Sequence, residues 1–312
     1  MNHERKTIVS LLGPTGIGKS SLALELENKH PFEIVSVDSV MIYRDMNIGT
    51  DKPSNEILSS TKHHLIDIRN PNESYNVGQF YNDIGAIIKN VHNNNKVPLL
   101  VGGSMMYFNS LFNGLSLLPG KNLIERQFID YLLLHYSCED LHSCLEEIDP
   151  LSYENININD MQRIQRALEV YLCTGKPLTS FYNKRIKLSD KYNLLTFRLI
   201  SDDRSLIHDK IFSRTKNMFD NHFIDEVIYL LEKYSLVKEN QSMRSIGYKQ
   251  VLSYLHGDIN KKDLEDKCIF ATRQLAKRQI TWLKQFNESI PIEIRENSFK
   301  NICKEIDNHL LF

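Results

Sequence analysis

Eight residues near the amino terminus, Gly13 to Ser20 (GPTGIGKS), follow the apolar, β-branched run Thr7 to Leu12. They precede a segment, Ser20 to Lys29, whose Leu22, Ala23 and Leu26 share one helical face. The octapeptide matches G-x-x-x-x-G-K-[ST] in the strand-to-helix setting that this pattern requires. Few folds admit such a turn. A buried strand must deliver the chain to a glycine-rich loop that wraps an anion, and a helix must begin where the loop ends, so that successive amides point inward and the helix N-terminus adds positive potential. Gly13, Pro14, Thr15, Gly16, Ile17, Gly18, Lys19 and Ser20 are therefore a candidate diphosphate cradle. Lys19 would supply a point charge to the phosphates, Thr15 a further hydrogen bond, and the Ser20 hydroxyl a ligand for Mg2+. The motif reads phosphate and does not say what is attached to it.

The rest of the chain repeats the same alternation. Apolar runs at Glu33 to Val37, Val97 to Val101 and Leu194 to Ile200 read as buried parallel strands, and Val77 to Asn90 reads as a helix with Phe80, Ile84, Ile87 and Ile88 on one face. Strand and helix in turn predict an α/β fold, a P-loop NTPase-like parallel sheet flanked by helices. From 119 to 191 the strand signal gives way to charged helical segments, so residues 1–118 and 192–312 are expected to form the core around a helical insertion domain. Asp202 to about Phe286 is again helical, with Ile211, Met218, Val227 and Leu230 spaced as a core face. The total of 312 residues suits this arrangement of one large domain with an insertion.

Charge is informative only locally. The formal net charge is -1, but residues 119–160 carry two basic against nine acidic side chains and residues 161–191 seven basic against two acidic. Arg273, Lys277, Arg278 and Lys284 form a second basic stretch without an acid. A solvated helix face is the ordinary meaning of such runs; beside a phosphate site they also suit a polyanionic partner. No apolar run reaches the ~20 residues that span a bilayer, so a cytoplasmic protein without membrane contact is expected, acting as a monomer. The five cysteines, Cys138, Cys144, Cys173, Cys268 and Cys303, contain no CxxC pair and read as reduced structural thiols. Cys138, His142 and Cys144 lie close in sequence without evident partner ligands for a metal. Trp282 reads as core, and His63-His64 as a pair whose side chains point to opposite strand faces.

Glu33 to Val37 runs directly into Asp38-Ser39, which sets a carboxylate at the carboxyl edge of the sheet, where open α/β folds bind ligands. Asp38 is a candidate general base; a helix cap or an outer ligand of Mg2+ is the alternative. The strand Val97 to Val101 ends in Gly102-Gly103-Ser104 and not in the aspartate that an NTPase uses to help hold Mg2+.

Seven ordered segments now acquire a joint meaning: GPTGIGKS, Glu33 to Ser54, HHLIDI (His63 to Ile68), PLLVGGSMMY (Pro98 to Tyr107), NDMQRIQRALEVYLCTGKP (Asn159 to Pro177), SIGYKQV (Ser245 to Val251) and TRQLAKRQITW (Thr272 to Trp282). Together, over about residues 7 to 286, the chain resembles the bacterial tRNA dimethylallyltransferases, also called tRNA isopentenyltransferases. The resemblance implies transfer of a dimethylallyl group from dimethylallyl diphosphate to the exocyclic amine of the adenosine 3′-adjacent to the anticodon, with Mg2+ and release of pyrophosphate. Carried over by position, it implies that Thr15 to Ser20 bind the diphosphate and that Lys19, Asp38 and Ser104 take part in catalysis. It implies that Asp38, Ser39, Val40, Met41, Ser104 and Arg126 meet the target nucleotide, and that Gln162, Arg163, Ile164, Gln165 and Arg166 contact the anticodon stem-loop of the tRNA, clamped by the insertion. Arg214 and Arg244 are candidate pyrophosphate contacts, with structural pairing the equal alternative, and an ion pair with nearby acids is the alternative for Arg163 and Arg166. Ser104 stands where the family usually has threonine, which keeps the hydroxyl, and Met41 where many members have glutamine, which puts a hydrogen bond there in doubt. A P-loop kinase, a non-catalytic RNA-binding protein and a transferase acting on a free adenine nucleotide are the competing readings.

Overall fold

A computed structural model describes residues 5–310, apart from Leu117, Lys184 and Glu296. Within it the chain divides into two compact units, residues 113–187 and the remainder.

The larger unit is built on six strands: β1 (Thr7–Leu12), β2 (Phe32–Val37), β3 (His63–His64), β4 (Val97–Gly102) and, after the second unit's own β5 (Leu115–Ser116) and β6 (Arg185–Ile186), β7 (Asn193–Ile200) and β8 (Ile290–Glu293). Their order is β3-β2-β4-β1-β7-β8, and every pairing is parallel. Parallel strands need covered crossovers, which is why the inner ones are apolar almost throughout: β2 is buried at all six positions. Side-chain alternation then builds two cores. Ile8, Leu12, Val35, Val37 and Leu100 enter one, while Val9, Leu11, Ile34, Leu99 and Val101 enter the other. Each fully buried aliphatic side chain contributes about 1.5–3 kcal/mol, so an Ile8→Ala or Val9→Ala change thins one specific layer.

Around the sheet lie α1 (Lys19–Lys29), α2 (Asn55–Ser60), α3 (Val77–Asn93) and α4 (Met105–Phe112). The smaller unit holds α5 (Leu123–Leu132), α6 (Cys138–Ile148), α7 (Pro150–Asn155) and α8 (Met161–Thr174). The chain then adds α9 (Arg204–Asp220), α10 (Phe223–Tyr234), α11 (Tyr248–Leu255), α12 (Lys261–Leu283) and α13 (Ser298–His309) to the larger unit. Phe80, Ile84 and Ile88 of α3 join the first core, and Leu22, Ala23 and Leu26 of α1 the second.

The smaller unit has its own core of Ile129, Leu141, Leu145, Ile164, Ala167, Leu168, Val170 and Leu178. It begins at Asn113 and ends at Lys187, against the expected 119–191, because the antiparallel pair β5 and β6 belongs to it while Leu188 is buried in the first core of the larger unit. Trp282 packs against that same core. Among the described residues, no helix is long and apolar enough to cross a membrane.

Candidate active site

The phosphate loop leaves β1 at Leu12 and enters α1 at Lys19. Gly16 and Gly18 have φ of 81° and 97°, a left-handed backbone that costs roughly 1–2 kcal/mol per residue once a Cβ is present. α1 has neither a side-chain cap nor an acidic residue in its first turn, whereas α3 opens with a capping box between Asn76 and Gln79. The first N–H groups of α1 are thereby left for an anion. Lys19 folds back over the loop and donates from Nζ to the Pro14 carbonyl at 2.7 Å. Burial lowers its amine from the ordinary 10.5 to about 8; the charge of Asp38 works against that fall and Arg214 adds to it. The ammonium is therefore short of counter-charge, as a site awaiting phosphate should be.

A cavity of about 890 Å³ opens at this edge of the sheet, and Thr15, Gly16, Gly18, Lys19, Ser20 and Asp38 all line it. Ser39, Val40, Met41, Arg214 and Arg244 line it too. Asp38 sits where β2 ends. Its Oδ1 accepts from the N–H of Val40 at 2.8 Å and of Met41 at 3.1 Å, while its Oδ2 has no hydrogen bond among the described residues. One oxygen thus fixes the turn and the other is free for chemistry. Ser104, just past β4, accepts the Ser39 N–H at 3.1 Å and donates its own N–H to the Val37 carbonyl at 3.3 Å. Its hydroxyl thereby ties the end of β4 to the turn that carries Asp38. Met41 receives a long contact from the Ser36 hydroxyl to its Sδ, at 3.9 Å.

Arg214 reaches the loop from α9. Its Nη1 donates to Thr15 Oγ1 at 3.0 Å and its Nε lies 3.3 Å from Asp51 Oδ2. Arg244 is exposed at the cavity, with no side-chain partner among the described residues. Ser20 and Asp38 offer hydroxyl and carboxylate oxygens in one cavity, a hard-donor set of the kind Mg2+ takes together with phosphate oxygens and water.

The smaller unit redistributes the residues assigned there. Arg126 and Arg166 converge on Glu169, whose side chain is fully buried: Arg126 Nε donates at 2.9 Å and Nη2 at 3.0 Å, Arg166 Nη1 at 2.7 Å, and the Asn122 N–H at 2.8 Å. Burial pushes the Glu169 carboxyl up, but the donors from Arg126, Arg166 and Asn122 outweigh it and hold the group at about 2. Arg166 Nη2 also donates to the Pro119 carbonyl at 2.6 Å. Gln165 donates to Asp130 at 2.7 Å. Ile164 lies wholly in the core, so its side chain is unavailable to a ligand. Gln162 and Arg163 point outward; the Arg163 side chain is 67% exposed and 3.3 Å from Asp160. Among the described residues there is no cluster of His, Cys, Asp or Glu fit for a metal. Cys138, Cys144 and His142 bond instead to the carbonyls of Ile158, Asp140 and Ile156.

Three residues escape the reading of the sequence. Gln279 of α12 accepts the Thr15 N–H and donates to the Gly103 carbonyl, both at 2.8 Å. Asp51 meets Arg214 from a left-handed backbone with φ 57°. Lys210 of α9 lines the cavity beside the phosphate loop. The available signal was a glutamine on the apolar stripe Ala276, Gln279, Leu283, where a buried amide must find partners.

A glycine-rich anion cradle at the carboxyl edge of an all-parallel sheet, facing a carboxylate with one unengaged oxygen, defines the P-loop class of phosphate-binding α/β proteins. The comparisons narrow that class. The sequence model of the IPP transferase family matches residues 41–286, and the chain belongs to that family. It is 43% identical to the tRNA dimethylallyltransferase of Coxiella burnetii strain RSA 493 over 282 residues, covering 90% of this chain and 91% of that protein. It is also 43% identical to that of Legionella pneumophila strain Lens over 285 residues, 91% of each chain. Among solved structures, the full-length tRNA isopentenylpyrophosphate transferase of Bacillus halodurans aligns with a TM-score of 0.71 at 29% identity, covering 98% of this chain and 96% of that one. A eukaryotic dimethylallyltransferase acting on tRNA aligns with a TM-score of 0.80 at 25% identity, covering 97% and 76%.

Proposed function

We propose that this protein transfers the dimethylallyl group of dimethylallyl diphosphate to the exocyclic amine of the adenosine 3′-adjacent to the anticodon of tRNA. The observation that carries the reading is the single cavity in which the phosphate loop faces Asp38 Oδ2, in a chain of the IPP transferase family. The amides of Gly16 to Ser20 and Lys19 hold the diphosphate, with Arg214 and Arg244 as further contacts to it. Asp38 Oδ2 takes the proton of the adenine amine as the N–C bond forms and the C–O bond breaks, and the electron pair of that bond leaves on pyrophosphate. An allylic carbon tolerates partial positive charge, so orientation and stabilisation of the leaving group supply most of the acceleration. The Ser20 hydroxyl would hold Mg2+, which would supply charge neutralisation on the leaving group.

The adenosine is stacked in its loop and must be extruded to reach the cavity. Ser39, Val40 and Met41 meet it there, and Ser104 keeps their turn in place. Gln162 and Arg163 are the outward-facing candidates for the tRNA backbone in the smaller unit. Arg126 and Arg166 reach RNA only by sharing or leaving Glu169, and their first role is to order the helices. The protein works as a monomer in the cytoplasm.

The kinase reading lacks its aspartate, since β4 ends in Gly102-Gly103-Ser104. The test is incubation with unmodified tRNA, radiolabelled dimethylallyl diphosphate and Mg2+, with AMP and ATP as parallel acceptors. Label in tRNA alone supports the proposal. Label in the free nucleotides moves the acceptor, and no label in any of them ends the prenyl-transfer reading.

A further inference from the structure

Two loops leave neighbouring strands at the carboxyl edge of the sheet: the phosphate loop after β1, and Gly102 to Ser104 after β4, with Leu12 and Gly102 in register. One side chain from α12 sits between them. Gln279, 9% exposed, accepts the Thr15 N–H through Oε1 and donates through Nε2 to the Gly103 carbonyl, each at 2.8 Å. The fit is close: a Cβ on Gly103 would stand 2.5 Å from Gln279 Nε2 and 3.2 Å from the Gly13 carbonyl. The next residue, Ser104, receives the Ser39 N–H at 3.1 Å, and Ser39 follows Asp38. Hydrogen bonds, joined by the peptide link from Gly103 to Ser104, thus connect the loop that grips the leaving group to the turn that carries the base.

We infer that Gln279 is a positioning residue that sets the separation and orientation of the diphosphate cradle relative to Asp38. This inference rests on the prenyl-transfer reading of the cavity. A neutral primary amide suits the place, because it presents an acceptor to Thr15 and a donor to Gly103 at once without bringing charge beside phosphate. The arrangement also withdraws the Thr15 amide from the anion. Thr15 is left to act through its hydroxyl, which already holds Arg214, and the cradle amides are those from Gly16 onward. Such a clamp affects alignment more than grip, so its loss falls on turnover. Misplacement by about 1 Å costs roughly a hundredfold in rate.

The experiment compares the full-length wild type with Q279M, which loses both bonds at similar volume, and Q279E, which keeps only the acceptor. Turnover on tRNA is expected to fall at least roughly tenfold in both variants, while the KM of Q279M for dimethylallyl diphosphate and its affinity for Mg2+-pyrophosphate stay within about threefold of wild type. Amide hydrogen exchange gives a readout independent of activity: Thr15 and Ser39 are both expected to exchange faster in Q279M, although among the described residues Ser39 has no hydrogen bond to Gln279. If Q279M loses its melting transition, Q279E carries the turnover and exchange comparison, without the binding readout, which its added charge perturbs. Turnover within twofold of wild type, or unchanged exchange at Ser39, overturns the clamp. Wild-type enzyme that labels no tRNA overturns the prenyl-transfer reading, and the exchange data then judge the hydrogen-bond chain by itself.

Discussion

Replacing Lys19 with methionine should make the ligand-free protein more stable while destroying its capacity to hold diphosphate. The amine falls from 10.5 to about 8 on folding, which corresponds to roughly 3 kcal/mol against the charged form near neutral pH. Methionine removes that cost at similar length but leaves the Pro14 carbonyl, now bonded at 2.7 Å, without its donor, a loss of about 1–2 kcal/mol. The net expectation is a gain of about 1–2 kcal/mol, seen as a rise of a few degrees in melting temperature. The pH dependence has a definite sign. Above pH 8 the folded protein sheds a proton that the unfolded chain keeps until about 10.5, so wild-type stability rises with pH across that window and the K19M curve is flatter. Thermal unfolding with and without Mg2+-pyrophosphate is the assay. Ligand at about a hundred times its dissociation constant adds roughly 2.7 kcal/mol to wild type and little to K19M, so the order of stability reverses. An empty K19M that melts below wild type would refute the reasoning, since the ammonium would then be satisfied by the protein itself.

Asp38→Asn keeps the acceptor that orders Val40 and Met41 and removes the base, so turnover should fall by about 10²–10⁴ while tRNA and pyrophosphate affinities, measured by filter binding and calorimetry, change little. Glu169→Gln strips the charge from a buried carboxylate held at about 2; hydrogen exchange in α5 and α8 should accelerate by an amount equivalent to about 3 kcal/mol. In wild type the same stabilisation is complete above pH 4.5 and is lost as pH falls toward 2, because the folded carboxyl protonates later than the unfolded one. Arg163→Gln, which removes an outward-facing charge, should weaken tRNA binding and reduce the slope of log affinity against log salt by roughly 0.7–0.9, with the KM for dimethylallyl diphosphate unmoved.

What was legible in the sequence follows from length and periodicity. β1, β2, β4 and β7 were readable because each is a run of six to eight residues buried on both faces, and apolar continuity is the mark of such strands. β3 has two residues and β8 four, and they are the two edges of the sheet. Neither carries a periodic signal. β5 and β6 are two residues each, and their pairing across the insertion moved its boundaries. The cradle and Asp38 were visible because the first is contiguous and the second ends a strand. Gln279 was not, because Thr15 lies 264 residues away and nothing local in α12 marks a bond across that interval. The charge count also misled in one respect: Arg126 and Arg166 add to the basic total, yet both are bound to one acid that the same count scores against them.

On this mechanism one cavity holds an allylic diphosphate in the phosphate loop and presents its carbon to a nucleobase amine beside Asp38. A crystal structure with Mg2+, a non-reactive thio analogue of dimethylallyl diphosphate and an anticodon stem-loop tests it directly. The expected result is diphosphate on the amides of Gly16 to Ser20, Lys19 Nζ turned from the Pro14 carbonyl to phosphate, and an extruded adenine whose exocyclic amine donates to Asp38 Oδ2 within about 3.2 Å. A stem-loop whose adenosine stays stacked outside the cavity, with Asp38 Oδ2 bonded to no base, would contradict it.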